Sequence, residues 1–177
     1  MPVYFWNDPD GQRYHKADYT KYPAVWTHGD FISVNSRTRG ITLYGRSDAT
    51  LNPGGVRIGT ADIYNVLENL EEVADSVVVG QKWNDDVRVV LFVTLTGDHD
   101  LNDDLVKKIK TSIRNACSPR HVPAQIIKVQ EIPYTINMKK VELAVRNVIH
   151  GEPVTNRDAL ANPDCLKEYE GLSQLQS

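Results

Sequence analysis

The 177-residue chain contains only two cysteines, Cys117 and Cys165, and neither belongs to a Cys-x-x-Cys pair or to a cluster with histidine. A disulfide framework and a zinc site are therefore not expected, and a reducing compartment such as the cytosol is the natural setting. The sequence has no apolar run of about eighteen residues, so it predicts no membrane span. The N-terminal segment lacks a basic region followed by an apolar one, which argues against a signal peptide.

The chain also lacks an excess of charge of one sign. Its 20 Lys and Arg residues and 23 Asp and Glu residues give a formal net charge of -3 at pH 7. A basic excess is the usual sign of nucleic-acid binding, so the bulk charge provides no support for that function. The hydrophobic fraction of 41% and the charged fraction of 24% are those of a folded globular protein.

Two common phosphate-binding loops are missing, since the sequence contains neither Gly-x-x-x-x-Gly-Lys-Ser/Thr nor Gly-x-Gly-x-x-Gly. What it does contain is a turn-rich stretch at residues 40–59, GITLYGRSDATLNPGGVRIG, with five glycines. A surface turn alone explains such a composition. A nucleotide-binding hinge between domains is the alternative, because Arg46 and Arg57 flank Asp48 and guanidinium groups suit phosphate and ribose oxygens.

Residue patterns predict a β-rich, irregular first part of the chain. Residues 1–45 start with the strand-like run VYFW, and the segments FISVN and GITLYG, separated by SRTRG, predict a hairpin. The segment TADIYNVLENL then predicts a helix with Thr60 as its N-cap and an apolar face that includes Ile63 and Leu67.

The rest of the chain predicts a compact α+β domain. The Val-rich segments DSVVVGQKW and VRVVLFVTLT read as strands joined by the turn NDD, and Asn102 opens a helix that leads to the strand AQIIKVQ. A last helix lies in KKVELAVRNVI, so the fold class is α+β, with helices packed on a central sheet. The polar residues 151–177 predict a surface tail with one short helix near PDCLKEY.

The segment IPYTINMKKVELAV places Lys139 and Lys140 at the predicted start of the last helix. A helix N-terminus carries a partial positive charge, so cations there are mildly unfavourable. The pair can consist of two solvated surface lysines. The other interpretation is a lysine aimed at an anion where a loop meets a helix, and the pattern leaves both open.

Three segments together resemble motifs of the AMP-forming acyl-CoA synthetases of the adenylate-forming superfamily. WTHGD resembles the family's Gly-Asp motif, and YGRSDATLNPGGVRIGTADIY resembles its hinge motif, Gly-Arg-x-Asp followed by glycine and an Arg-Ile pair. IPYTINMKK resembles the motif Pro-x-Thr-x-x-Gly-Lys. The resemblance covers nearly the whole chain. The hinge motif, the opening MPVYFWNDPDGQRY and the tail GEPVTNRDALANPDCLKEY are most similar to the branch that acts on acetoacetate.

The resemblance implies a two-step ligation. ATP and a carboxylic acid give an acyl-adenylate and pyrophosphate, and the CoA thiol then displaces AMP to form the thioester. It also implies a C-terminal domain that rotates between the two steps. The expected acid is acetoacetate, with acetate, propionate or a longer acid as alternatives, and Mg²⁺ would accompany ATP through ligands outside this chain.

The resemblance also assigns nucleotide and hinge roles. Asp30 would accept hydrogen bonds from the ribose hydroxyls of ATP or AMP, and Arg46 would contact the same ribose. Arg57 would meet nucleotide phosphate. Asp48 would be the hinge residue, which would account for the turn-forming residues around it.

A second group of positions would serve catalysis and CoA. Lys139 would donate to the carboxylate and α-phosphate oxygens during adenylation. Gly54 and Gly55 would let the pantetheine arm of CoA pass close to the backbone. Arg114 would meet the CoA nucleotide, and Lys140 would point to solvent.

The sequence departs from the family pattern at one of these motifs. Met138 stands where the family usually has glycine before the lysine. Two lysines follow it, so the register between Lys139 and Lys140 is open, and counting from Pro133 and Thr135 favours Lys139.

The resemblance implies that most of a complete synthetase lies outside these 177 residues, because the family's phosphate-binding loop, adenine pocket and acyl pocket belong to a large N-terminal domain. We therefore expect residues 1–47 to be the end of that domain, residues 48–150 the mobile C-terminal domain and residues 151–177 the tail. The abrupt start in VYFW fits a fragment that works with its own N-terminal domain and is inactive alone. A non-catalytic binding module of the same fold is the alternative.

Overall fold

The computed structural model describes residues 3–47 and 49–177 of the chain. Within these ranges there are four α-helices and five strands, and the strands form a two-stranded and a three-stranded sheet. This arrangement confirms the predicted α+β class. None of the helices in these two ranges is long and apolar enough to cross a membrane. The helices are α1 (Gln12–Asp18), α2 (Thr60–Leu67), α3 (Asp103–Ala116) and α4 (Glu142–Ile149), and the strands are β1 (Asp30–Val34), β2 (Ile41–Arg46), β3 (Val73–Trp83), β4 (Asp86–Leu95) and β5 (Gln125–Lys128).

The Val-rich strands β3 and β4 form the centre of the fold. They run antiparallel and are joined by a turn in which Asn84 and Asp85 both have positive φ, 48° and 62°, as tight hairpins require. Strand β5 pairs in parallel with β4, and α3 makes the crossover between them. The predicted strands and the turn between them are confirmed.

Side chains of the three-stranded sheet alternate between two cores, one on each face. In β3, Val77 and Val79 face the first core, whereas Val78 faces the second. Both faces are therefore covered, which fits the near-continuous run of valines. The second core also takes buried residues from α2 and α3, namely Ile63, Leu67, Leu105, Ile109 and Ile113.

The N-termini of the two helices in the second core differ from each other. Helix α3 starts as predicted, because the Asn102 side chain accepts a hydrogen bond from the Leu105 N–H at 2.9 Å. The prediction of Thr60 as an N-cap is wrong, since Thr60 is the first helical residue of α2 and Gly59 is the N-cap. A Cβ on Gly59 would collide with the Tyr44 main-chain oxygen, so close contact with β2 requires glycine there.

Residues after α4 complete the first core and do not merely cover the surface. The Tyr169 ring contacts the Phe92 ring of β4 edge-on, with 4.8 Å between centroids. The expected short helix is present as a 3₁₀ helix, Pro163–Tyr169. The expectation of a surface tail is wrong for its apolar side chains, because 3₁₀ turns bring irregularly spaced residues to one side. The buried residues of this segment are Leu160, Cys165, Leu166, Tyr169 and Leu175.

The first part of the chain has less strand than the sequence predicts. The β1–β2 hairpin is confirmed, with Asp30 opposite Arg46. The run VYFW, whose four residues are all described, forms no strand, whereas α1 forms in a segment that the pattern predicts to be irregular. The Asp8 carboxylate explains the helix, because it accepts hydrogen bonds from the Arg13 and Tyr14 N–H groups at 3.0 and 2.8 Å.

Arg88 ties the C-terminal segment to β4. Its guanidinium group donates to the main-chain oxygens of Leu175 and Ser177 at 2.8 and 2.7 Å, and to Gln81 Oε1 at 2.8 Å. The same group stacks on the Trp83 ring, 3.9 Å from its centroid. One arginine thus joins the sheet to the last residues of the chain.

We expect Arg88→Ala to lower the free energy of unfolding by about 2–3 kcal/mol, because charge-assisted hydrogen bonds are lost and Gln81 is left without its donor. Urea denaturation of the chain measures this change. Lys82→Ala is the matched control, because the Lys82 side chain is 78% exposed and its ion pair with Glu152, at 3.7 Å, lies at the surface. Its effect on the free energy of unfolding should stay within about 0.5 kcal/mol. Equal losses in the two variants would show that Arg88 is no anchor.

Candidate functional site

Asp30 and Arg46 face each other across the β1–β2 hairpin. Arg46 Nη1 lies 3.7 Å from Asp30 Oδ1, and His28 Nδ1 lies 2.6 Å from Asp30 Oδ2. Arg46 Nη1 also donates to the His28 main-chain oxygen at 2.9 Å. The Asp30 side chain is 25% exposed and that of Arg46 is 51% exposed. The hairpin register therefore places a carboxylate and a guanidinium group side by side at an accessible surface.

Gly29 makes this close approach possible. Its φ is 86°, and a Cβ at this position would lie 2.5–2.9 Å from three atoms of the Arg46 guanidinium group. Its carbonyl oxygen accepts hydrogen bonds from the Ser47 N–H at 2.8 Å and the Ser47 hydroxyl at 3.0 Å. The Gly-Asp pair thus has a conformational basis, because the positive φ of Gly29 favours glycine at this position beside the arginine.

The turn-rich segment after β2 forms a closed loop. The predicted hinge, Asp48, lies outside the described residues. Leu51 and Ile58 are buried and form an antiparallel bridge, with N–H···O distances of 3.1 and 3.0 Å. Arg57 lies next to this bridge and is exposed. The bridge therefore fixes the base of a loop that presents Arg57 to solvent.

Gly54 and Gly55 lie in this loop, both with positive φ, 57° and 76°. The Asp86 carboxylate accepts the Gly54 N–H, at 3.0 Å to each oxygen, and Arg120 Nη1 donates to the Pro53 main-chain oxygen at 3.2 Å. A Cβ on Gly54 would collide with the Arg120 guanidinium group, whereas Gly55 has open space around it. The loop is clamped from both sides, and Gly55 is its uncovered member.

Arg114, the other predicted CoA contact, lies in the last turn of α3 and is exposed. A cation near a helix C-terminus interacts favourably with the helix dipole, so this position also has a purely structural explanation.

Lys139 lies on a tight turn that precedes α4. The Thr135 N–H donates to the Lys139 main-chain oxygen at 2.8 Å, and the Lys139 N–H donates to Thr135 Oγ1 at 3.1 Å. Tyr134 and Lys140 form an antiparallel bridge at the base of the turn. Met138, with φ 56°, takes the left-handed conformation that favours glycine. The Lys139 side chain is exposed.

Lys140 is anchored against β3, so the expectation that it points to solvent is wrong. Its Nζ lies 2.7 Å from Asp75 Oδ1 and donates to the Ser76 main-chain oxygen at 2.7 Å. The same ammonium group lies 4.4 Å from the centroid of the Tyr64 ring. Opposite charge and the negative face of the ring draw this lysine inward.

Sequence reasoning missed the tyrosines around this lysine. The Tyr134 hydroxyl donates to Asp75 Oδ2 at 2.8 Å, and the Tyr64 hydroxyl donates to Glu142 Oε1 at 2.8 Å. Burial raises the pKa of both tyrosines above the ordinary value, and nearby carboxylates add to the rise, so both remain donors at neutral pH. The available signal was the position of Tyr64 beside Ile63 and three residues before Leu67 on the apolar face of the predicted helix, since a tyrosine hydroxyl that is buried needs a partner.

A cleft of about 380 Å³ connects the hairpin to the lysine turn, with Arg46 on one side and Thr135 and Lys140 on the other. Within the described residues, its lining does not include Gly54 or Gly55. The structure thus brings Arg46 and the base of the lysine turn to one cleft and leaves the glycine loop apart. Nowhere in residues 3–47 and 49–177 do three or more His, Cys, Asp or Glu side chains form a group that could hold a metal ion.

The accessible groups suit a ligand that carries both hydroxyls and anionic oxygens. An ionised carboxylate such as Asp30 only accepts hydrogen bonds, so hydroxyl groups are its natural partners. Arg46, beside it, can donate to anionic oxygens, as can the exposed Arg57 and Lys139 from their own loops. A nucleotide has both kinds of group on one molecule.

No protein-family model matches the chain. Its fold is similar to the crystal structure of an acyl-CoA synthetase from Brucella canis, with 25% identity and a TM-score of 0.54 over 69% of this chain and 22% of that one. The chain therefore has the fold of part of an adenylate-forming ligase, as the motifs predict.

Higher identity identifies more specific relatives. Acetoacetyl-coenzyme A synthetase of Rhizobium meliloti (strain 1021) is 56% identical over 177 residues, which is 100% of this chain and 27% of that protein. The structure of acetoacetyl-CoA synthetase from Streptomyces lividans matches with a TM-score of 0.89 and 42% identity, over 100% of this chain and 27% of that one. The chain is homologous over its full length to acetoacetyl-CoA synthetases and spans about a quarter of their length.

We expect Met138→Gly to raise the free energy of unfolding by about 0.5–1 kcal/mol. The left-handed conformation costs an ordinary residue about 1–2 kcal/mol, and the greater chain entropy of glycine offsets only part of that gain. Met138 is 71% exposed, so little packing is lost. Asn137→Gly is the control, because Asn137 is not among the positive-φ residues and should gain nothing. Thermal and urea unfolding measure both, and a less stable Met138→Gly would show that the turn is unstrained.

Proposed function

We propose that the chain is part of an acetoacetate–CoA ligase. Acetoacetate would attack the α-phosphorus of ATP to form acetoacetyl-adenylate and release pyrophosphate. The CoA thiol would then attack the acyl carbon, the bond from that carbon to the AMP oxygen would break, and acetoacetyl-CoA and AMP would leave. The observation that carries the proposal is the 56% identity to an acetoacetyl-CoA synthetase over the whole chain.

The nucleotide would bind against the β1–β2 hairpin. Asp30 would accept hydrogen bonds from the ribose hydroxyls, and Arg46, 3.7 Å away, would donate to the same ribose. Arg57, exposed beside the closed loop, would meet nucleotide phosphate. Mg²⁺ would accompany ATP, held by phosphate oxygens and by ligands outside this chain.

Lys139 would be the catalytic residue of the first step. Its exposed ammonium group would donate to the acid carboxylate and an α-phosphate oxygen as negative charge develops on them. The anchoring of Lys140 by Asp75 supports the choice of Lys139, because a lysine already paired 2.7 Å from a carboxylate is less available to substrate.

The glycine loop and Arg114 would serve the second step. Gly55, which has open space around it, would let the pantetheine arm pass close to the main chain. Gly54 would allow the loop to lie in close contact with the Arg120 guanidinium group. Arg114 would donate to the nucleotide end of CoA from the last turn of α3.

The domain assignment remains part of this proposal. Residues 1–47 would complete a larger domain, residues 48–150 would form a domain that rotates about Asp48 between steps, and residues 151–177 would travel with it. The β1–β2 hairpin supports the first assignment, because its apolar side chains are strongly exposed and suit burial against further protein. They are Ile32, Val34, Ile41 and Leu43, with exposures between 44% and 61%.

In the full-length synthetase that contains this chain, Lys139→Ala should slow adenylation by about 100-fold or more, the scale for losing one preorganised donor. Pyrophosphate release measures this step. Thioester formation from supplied acetoacetyl-adenylate should persist, because the lysine would by then face away. Lys107→Ala, which alters an exposed lysine of α3, should change neither step.

Equal slowing of both half-reactions by Lys139→Ala would contradict the proposed division of roles. The same pyrophosphate assay with acetate and propionate tests the acid. Faster adenylation of either one than of acetoacetate would contradict the proposed substrate while leaving the reaction class intact.

Limited proteolysis tests the boundary. We expect the first cuts between Tyr44 and Gly59, where the segment joining the two proposed domains lies, and later cuts at residues 61–149. Mass spectrometry of early products locates the cuts. First cuts inside β4 would show that the proposed compact unit is not the most stable part of the chain.

A further inference from the structure

The turn that carries Lys139 is fastened to β3 through one carboxylate. Asp75 Oδ1 lies 2.7 Å from Lys140 Nζ, and Asp75 Oδ2 accepts the Tyr134 hydroxyl at 2.8 Å. Tyr134 and Lys140 are bridge partners at the base of the turn. One side chain of β3, that of Asp75, therefore holds both ends of the turn.

This attachment is stronger than an ordinary surface ion pair. The Lys140 and Asp75 side chains are only 28% and 27% exposed, so solvent screens the pair less than at an open surface. The ammonium group also donates to the Ser76 main-chain oxygen at 2.7 Å and lies over the Tyr64 ring. The Tyr64 ring is itself held in place, because its hydroxyl donates to Glu142 Oε1 at 2.8 Å. Contacts from β3 and α2 therefore fix the position of the Lys140 ammonium group.

The inward direction of Lys140 determines the direction of its neighbour. Lys140 is paired with Tyr134 as in a strand, and in a strand the side chain before such a residue points to the opposite side. Since Lys140 points toward β3, Lys139 is directed away from the sheet, and its side chain is indeed exposed. Two hydrogen bonds with Thr135, one to its main-chain N–H and one to its hydroxyl, hold the Lys139 backbone in the same turn.

We propose that Lys140 is a positioning residue, whose ion pair with Asp75 aims Lys139 at the reacting oxygens during adenylation. The proposal rests on the proposed function of Lys139. Lys140 does not touch substrate, because Asp75 and Ser76 already engage its ammonium group. Adjacent lysines thus have separate tasks, one held by the protein and one free to meet the ligand.

A displacement of about 1 Å in a catalytic group can lower a rate by about 100-fold. Loss of the Asp75 pair should therefore slow adenylation and spare thioester formation, since Lys139 would act only in the first step. A purely structural role would instead lower both half-reactions together or only the amount of folded protein.

The experiment uses the full-length synthetase and measures pyrophosphate release and thioester formation from supplied acetoacetyl-adenylate. Lys140→Met should slow adenylation about 10- to 100-fold and leave thioester formation within about twofold. Lys140→Arg, which keeps the charge, should recover part of the loss. Lys128→Met is the matched control, because Lys128 also pairs with a carboxylate, Asp100, at 2.7 Å but lies on β5, and it should affect neither step.

A double-mutant comparison separates positioning from direct action. If Lys140 acts through Lys139, adding Lys140→Met to Lys139→Ala should cause little further loss of adenylation. Asp75→Asn should repeat the Lys140→Met pattern, and it supplies the test if Lys140→Met does not fold.

Any other result contradicts either the positioning role of Lys140 or the catalytic role of Lys139. Normal adenylation by Lys140→Met and Asp75→Asn, with Lys139→Ala impaired, would reject the positioning role and retain the proposed function. Equal slowing of both half-reactions would assign Lys140 to stability alone. Normal adenylation by Lys139→Ala with a large defect in Lys140→Met would make Lys140 the catalytic lysine and reject both proposals.

Discussion

The β3–β4 pair is buried on both faces, and this requirement decides where the other elements pack. Strand alternation sends Val77 and Val79 to one core and Val78 to the other, so each face needs its own cover. Helices α2 and α3 cover one face, and α4 with the residues that follow it covers the other. This requirement explains why the C-terminal segment packs into the fold: its Tyr169 ring covers the Phe92 ring of β4.

The same strand pair also separates the two proposed functional loops. Asp75, near the start of β3, holds the lysine turn, whereas Asp86, at the start of β4, holds the glycine loop. Trp83 pairs with Asp86, so these loops are attached at opposite ends of one ribbon, roughly 25 Å apart at about 3.3 Å per residue. A domain that brings adenylation and CoA groups to one centre in turn would need such a separation.

Local patterns were sufficient to predict most regular elements. The Val-rich runs predicted β3 and β4, and the apolar spacing of α3 with Asn102 before it predicted that helix. The segments FISVN and GITLYG, with a short loop between them, predicted the β1–β2 hairpin. Helix α1 was missed because Asp8, its capping carboxylate, lies in a segment that reads as a simple turn. The C-terminal core residues were missed because 3₁₀ turns have no long apolar period.

Site residues were predictable only as far as short motifs reach. The motifs singled out Asp30 and Arg46, and the hairpin register then accounts for their proximity. The direction of Lys140 was not predictable, because its partner Asp75 is distant in sequence and belongs to another element. The roles of Lys139, Arg57 and Arg114 stay predictions that rest on the motifs.

The clamp on the glycine loop has a consequence for conformational entropy. Two consecutive glycines are ordinarily among the most mobile residues of a chain, and fixing each backbone costs about 1–2 kcal/mol. Here Asp86 and Arg120 hold the main chain at Pro53 and Gly54 before any ligand arrives. The ordering cost at these two residues therefore falls on folding and not on binding, so a molecule that passes along Gly55 would meet a neighbouring main chain that is already held in place.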